Sequence, residues 1–166
     1  MSKPPRMAPH LVVKGGLDAI KFYEEVLDAD TQFLAMAEDG KRVMHAALDI
    51  NDGMIYLCDD FGMGGVSAPK DGGASVMIHL QLRKPKHVDA IMQKAVENGA
   101  EIVFPADDAF WGDRYGQIRD PFGHVWTFGA ALKNKDEMQA GMMEKIQNPP
   151  KSDKSAQKNR ARGSKK

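Results

Sequence analysis

The sequence predicts an α+β protein made from one structural unit used twice, each copy running βαβββ. A strand-like run, His10-Leu11-Val12-Val13, is followed by a helical stripe from Leu17 to Leu27, and the same order recurs as Met77 to Leu82 followed by Pro85 to Asn98. A shift of 69 residues maps His10 onto His79, Ala19 onto Val88, Phe22 onto Ile91 and Leu27 onto Val96. After each helix come three short β-branched or aromatic runs separated by turn residues.

In the first copy the helix is carried by Ile20, Tyr23 and Leu27, with Glu24 as the one polar interruption of its stripe. Thr31 to Ala37, Arg42 to Leu48 and Met54 to Cys58 are the strands, turned at Glu38-Asp39-Gly40 and Asn51-Asp52-Gly53. In the second copy Val88, Ile91, Met92, Ala95 and Val96 share a helix face, and Gly99 supplies the left-handed cap. Its strands are Glu101 to Phe104, Tyr115 to Arg119 and His124 to Phe128. Between the copies, Asp60 to Gly73 holds five glycines and a proline without periodicity, which suits a crossing loop. Asn134 to Gln147 predicts a short C-terminal helix within residues 131–148, with Met138, Met142 and Lys145 on one side and Gly141 weakening it.

A chain of 166 residues suffices for one core without a disulfide or metal staple. The lone Cys58 has no internal partner, no apolar run reaches bilayer-spanning length, and Met1-Ser2-Lys3-Pro4-Pro5-Arg6 lacks a signal-peptide core, so a soluble cytoplasmic protein is expected. The formal net charge of zero hides an asymmetry: residues 149–166 carry seven Lys and Arg against Asp153 alone, leaving residues 1–148 at −6. That tail has too little apolar surface to offset its ordering entropy and is expected to be disordered.

The most specific segment is Phe110-Trp111-Gly112-Asp113-Arg114-Tyr115-Gly116, leading to Arg119-Asp120-Pro121-Phe122-Gly123-His124 and on to Phe128. Proline presets the torsion for entering the turn and glycine permits the left-handed torsion for leaving it. This hairpin resembles the last two strands of a vicinal oxygen chelate domain, the superfamily of glyoxalase I, extradiol dioxygenases and the fosfomycin and bleomycin resistance proteins, and within it the PhnB-like branch. The resemblance covers residues 7–130, as two modules at about 7–59 and 75–130. It implies a curved, cup-shaped, eight-stranded mixed sheet with the helices on its outer face.

In the metal-dependent members, the resemblance implies ligands on the first and fourth strand of each module, two histidines and two carboxylates or a close variant, which leave open positions for a bidentate substrate. Those positions fall near Ala8, Tyr56, Met77 and Thr127. His10 and His79 lie two residues further along, on the same strand face. No carboxylate accompanies them: the fourth strands offer Met54, Tyr56 and Cys58, then Val125, Thr127 and Gly129. The residues therefore favour no metal, and His10, His79 and Cys58 are the donors if one is bound. Cys58 is disfavoured as a thiolate by Asp59 and Asp60, which argues against a nucleophile.

Two readings of the cup follow. In the first it binds a small organic molecule, with His10, Tyr56 and His79 as polar groups in an apolar cavity, Trp111 and Tyr115 for stacking, and Arg114 for an anionic group. In the second it is a divalent-metal-dependent lyase, isomerase or transferase of the glyoxalase type using His10 and His79. Each has a plainer counterpart in which both histidines are neutral and hydrogen-bonded, Trp111 fills the rim, and Arg114 pairs with Asp113 or Asp120. His45, His87 and His124 read as structural or surface residues. No phosphate loop or Ser-His-Asp arrangement is present, and Phe61-Gly62-Met63-Gly64-Gly65 lacks the strand-to-helix context of a nucleotide site. The open sheet edges predict a homodimer. A nucleic-acid contact through the basic tail is the third alternative, set against a solubilising role.

Overall fold

The computed structural model describes residues 7–70 and 74–147. The basic tail at 149–166 lies outside them, and so does any contact it makes.

Strand β1 (His10–Val13) alternates, burying Leu11 and Val13 while His10 stays exposed. Helix α1 (Gly16–Leu27) buries Ala19, Ile20, Tyr23, Val26 and Leu27 on one face. Its first residue has to be glycine: a Cβ there would stand 2.6 Å from Asp59 Oδ2 and 2.8 Å from Val43. The space is taken by the buried Asp59 carboxylate, which accepts from the N–H groups of Gly15, Gly16 and Val43 at 2.9, 3.0 and 2.7 Å. A carboxylate here satisfies orphan donors and opposes the helix dipole.

Strands β2 (Asp30–Met36), β3 (Val43–Ile50) and β4 (Gly53–Asp59) complete the first module. The second repeats it as β5 (Met77–Gln81), α2 (Pro85–Glu97), β6 (Glu101–Asp108), β7 (Asp113–Arg119) and β8 (Val125–Ala131). Proline occupies the first turn of α2, where its missing N–H costs nothing, and Gly99 at φ 90° follows the Asn98 cap. The strand orders are β1-β4-β3-β2 and β5-β8-β7-β6, each with one parallel and two antiparallel pairings. The repeat read from the sequence is thus a repeat of topology. β6 runs four residues beyond its expected end, so Phe110 and Trp111 form the turn between β6 and β7. Helix α3 (Lys135–Gln147) follows, with Met138 and Met142 half-buried.

Among the described residues, the eight strands divide into two four-stranded sheets with no ladder between them. Their facing edges, β1 and β5, are joined by a pair of matched caps. Tyr56 N–H donates to Pro9 O and Asp60 N–H to Val13 O, so alternate β1 carbonyls meet β4 and that of Val12 points off the free edge. His124 Nε2–H, at the β7–β8 turn, donates to that carbonyl at 3.1 Å. On β5, Leu82 faces β8, and Gln81 O turns outward to accept from Asn51 Nδ2 of the β3–β4 turn at 3.0 Å. Val12 and Gln81 are related by the same 69-residue shift as the helices. Each module's second hairpin therefore caps the other's first strand, and His124, read from the sequence as a structural or surface residue, has this structural task.

The shared core lies beneath these edges. Tyr23 packs on Trp126 with ring centroids 5.3 Å apart, Phe22 and Tyr23 both meet Phe122 edge-on, and Trp126, Phe128 and Ile118 are fully buried. Among the described residues, no helix is long and apolar enough to cross a membrane.

Candidate functional site

Each sheet turns one face to its helix and leaves the other open. On the first sheet the open face carries His10, Tyr56 and His45. Register places His10 opposite Tyr56, Tyr56 opposite Ala47, and Ala47 opposite Phe33. The small Ala47 leaves room above it, and the rings converge there: His45 lies 5.6 Å from His10, 5.1 Å from Tyr56 and 6.0 Å from Phe33. The result is an aromatic floor with two imidazoles and a phenol. Though exposed at its edge, the His10 imidazole is partly buried, which holds its pKa below its usual value, and the neighbouring His45 lowers it further.

The open face of the second sheet is polar and internally bonded. His79 stands opposite Thr127, the counterpart of the His10–Tyr56 pairing. Gln81 Nε2 donates to Gly129 O at 3.1 Å, which aims Gln81 Oε1 at His79 Nε2, 3.3 Å away. That oxygen accepts, so Nε2 carries the proton and His79 Nδ1 accepts from the Thr127 hydroxyl at 2.9 Å. The imidazole lies over Gly129, where a Cβ would come within 2.9 Å of its Cε1. Tyr115 is opposite Gly129 on the same face, and Trp111 meets Tyr115 edge-on at 5.4 Å.

The structure therefore gathers His10 with Tyr56 on one sheet, and His79 with Tyr115 and Trp111 on the other. Both histidines lie on open faces, off the helix-facing side. A cavity of about 350 Å³ beside β1 is lined by His10, Val12, Ile78 and His124, and His79 is not part of it.

Arg114 departs from expectation. Strand alternation turns it to the helix side with Gly116 and Ile118, where it bonds Asp89 of α2 at 2.6 Å and Asp108 at 3.1 Å. Two carboxylates already neutralise its charge, and it does not share a face with Tyr115. Neither anticipated ion-pair partner is used: Asp113 takes Lys135 at 2.9 Å, and Asp120 is buried under Tyr23 and Trp126. His45, read from the sequence as a structural or surface residue, lies on the open face of the first sheet. It pairs with Ala35 of β2 beside a register shift, which periodicity does not supply.

The donors do not suit a divalent ion held by one chain. Both nitrogens of His79 are engaged within its own sheet, its row neighbour is a hydroxyl, and among the described residues no three His, Cys, Asp or Glu side chains converge. Cys58 is raised in pKa by burial first and by Asp59 and Asp60 next, so its thiolate is disfavoured.

Paired βαβββ modules with open sheet faces and a histidine at matched positions of each define a class. The sequence profile of the glyoxalase/bleomycin resistance protein/dioxygenase superfamily matches residues 8–128, and the chain belongs to that superfamily. The Mycobacterium tuberculosis protein Rv0887c is 42% identical over 144 residues, covering 83% of this chain and 82% of that protein. Among solved structures, a PhnB protein from Bacillus cereus superimposes with TM-score 0.63 at 15% identity, over 76% of this chain and all of that one. The fosfomycin resistance protein FosX from Listeria monocytogenes gives 0.62 at 14% identity, over 83% of this chain and 99% of that one. These two likenesses establish the shared fold.

Proposed function

We propose that this protein is a PhnB-like member of the superfamily that binds a small, planar, oxygen-bearing organic molecule on its open sheet faces without a resident metal. The observation that carries the reading is the matched row on β1–β4 and β5–β8. Each module sets a histidine beside a hydroxyl, Tyr56 or Thr127, where a metal enzyme of this fold needs a carboxylate. The aromatic floor of His10, His45 and Tyr56 supplies stacking area on the first sheet, and the Trp111–Tyr115 pair supplies a separate area on the second. Polar groups at fixed angles on such a floor select for oxygen substituents.

The functional unit in this reading is a homodimer. β2 and β6 are sheet edges, and their Phe33 and Phe104 remain 54% and 61% exposed. A second copy would cover these edges.

The test is an NMR titration of full-length protein with catechol. In the expected result the imidazole resonances of His10 and His79 both respond saturably, and His10→Ala and His79→Ala each weaken the response on their own sheet by about tenfold, or ~1.4 kcal/mol. A stoichiometric divalent ion in protein purified without chelator, lost in the double substitution, would replace this reading with the metal-dependent lyase, isomerase or transferase.

A further inference from the structure

A cleft of about 670 Å³ opens at the Asn51 end of the module junction, between the C-terminus of α1 and the first half of α2. Its volume lies in the usual range for small-ligand sites. Val26, Leu80, Leu82 and Ile91 give it an apolar floor. The first module contributes Asp30, Asp49 and Asp52 to its rim, and the second contributes Arg83, His87 and Lys94.

Across the cleft only Lys94 and Asp28 pair among the described residues, at 3.6 Å, while Arg83, Asp49 and Asp52 have no ion-pair partner. Beyond the Lys94–Asp28 bridge, the cleft offers unpaired carboxylates from the first module and an unpaired guanidinium from the second over apolar ground. A ligand matching it has an ammonium at one end, a carboxylate at the other and apolar groups between.

We infer that this cleft is a binding site for a short zwitterionic peptide with apolar side chains, about two or three residues long at roughly 3.5 Å of extended chain each. The ammonium meets Asp49 and Asp52, the carboxylate meets Arg83, and the side chains lie on Leu82 and Ile91. The assignment does not depend on the catechol site.

Leucyl-leucine tests it on the full chain, by calorimetry and amide NMR. The expected result is saturable binding with Kd of about 1 mM or tighter, with shifts at Leu82, Arg83 and Ile91. N-acetylation or C-terminal amidation of the peptide should each weaken it by about fivefold, or ~1 kcal/mol. Arg83→Glu should remove the penalty for amidation, and Asp52→Lys should remove the penalty for acetylation, so two surface variants report on the two ends independently. No saturation by about 10 mM, equal binding of the blocked peptides, or shifts confined to the open faces would overturn it.

Discussion

The Tyr23 hydroxyl donates to Asp120 Oδ2 at 2.7 Å, joining the helix of the first module to the β7–β8 turn of the second. Trp126 Nε1 donates to the same oxygen at 2.9 Å, and the N–H groups of Phe122 and His124 donate to Oδ1, each at 2.9 Å. A carboxylate only 3% exposed thereby receives four donors. The Asp-Pro-Phe-Gly turn is a junction anchor as much as a hairpin.

Tyr23→Phe leaves Asp120 buried with three donors. Such a loss next to a charge costs about 1.5–3 kcal/mol, and Asp120→Ala, which strands Tyr23 and Trp126 together, should cost more. Urea unfolding midpoints measure both. A Tyr23→Phe midpoint equal to that of the parent would mean that the bond contributes nothing to holding the modules.

Alkaline stability follows from the same pair. Burial, and then the Asp120 charge, push the Tyr23 pKa well above its usual value. The folded state therefore keeps a proton that the unfolded chain releases near pH 10, so this contribution is complete below about pH 10 and is lost as pH rises beyond it. Unfolding free energies from pH 9 to 11 should fall more steeply for the parent than for Tyr23→Phe. Parallel slopes would contradict the assignment.

His10 offers the opposite sign. With its folded pKa depressed, chiefly by burial and secondarily by His45, its contribution to stability is present above about pH 6.5 and is lost as pH falls through the lowered value. His45→Gln should move the His10 midpoint part of the way back up in an NMR titration. An unmoved midpoint would leave burial as the whole cause.

Two glycine-to-alanine changes should separate site from core. In Gly129→Ala the new methyl displaces the exposed His79 ring from its bonds to Thr127 and Gln81, so catechol binding should weaken while stability changes by less than about 1 kcal/mol. In Gly116→Ala the methyl overlaps the Met92 sulfur in the core, with an expected cost of about 1–3 kcal/mol. Thermal unfolding and the same titration distinguish the two.

The elements were legible because each carries a local signature. The 69-residue repeat, the Leu17 to Leu27 stripe and the Asp120-Pro121-Phe122-Gly123 turn depend on residues near in sequence, and β1, α1 and α2 form within a residue or two of where those patterns place them. Alternation also sufficed to set His10 and His79 on the open faces, because Leu11, Val13 and Leu80 beside them are buried.

Local patterns in the chain thus define two βαβββ modules, their family, and a pair of histidines with no carboxylate on the same face of the neighbouring strands. Tertiary structure alone decided that His45 joins His10 over Ala47, that Arg114 is spent on Asp89 and Asp108, and that His124 and Asn51 cap the edges of the opposite module. Each of these depends on strand register or on partners far apart in the chain. A shift of one residue in pairing reverses every side chain of a strand, and nothing within a strand's own sequence states which neighbour it meets.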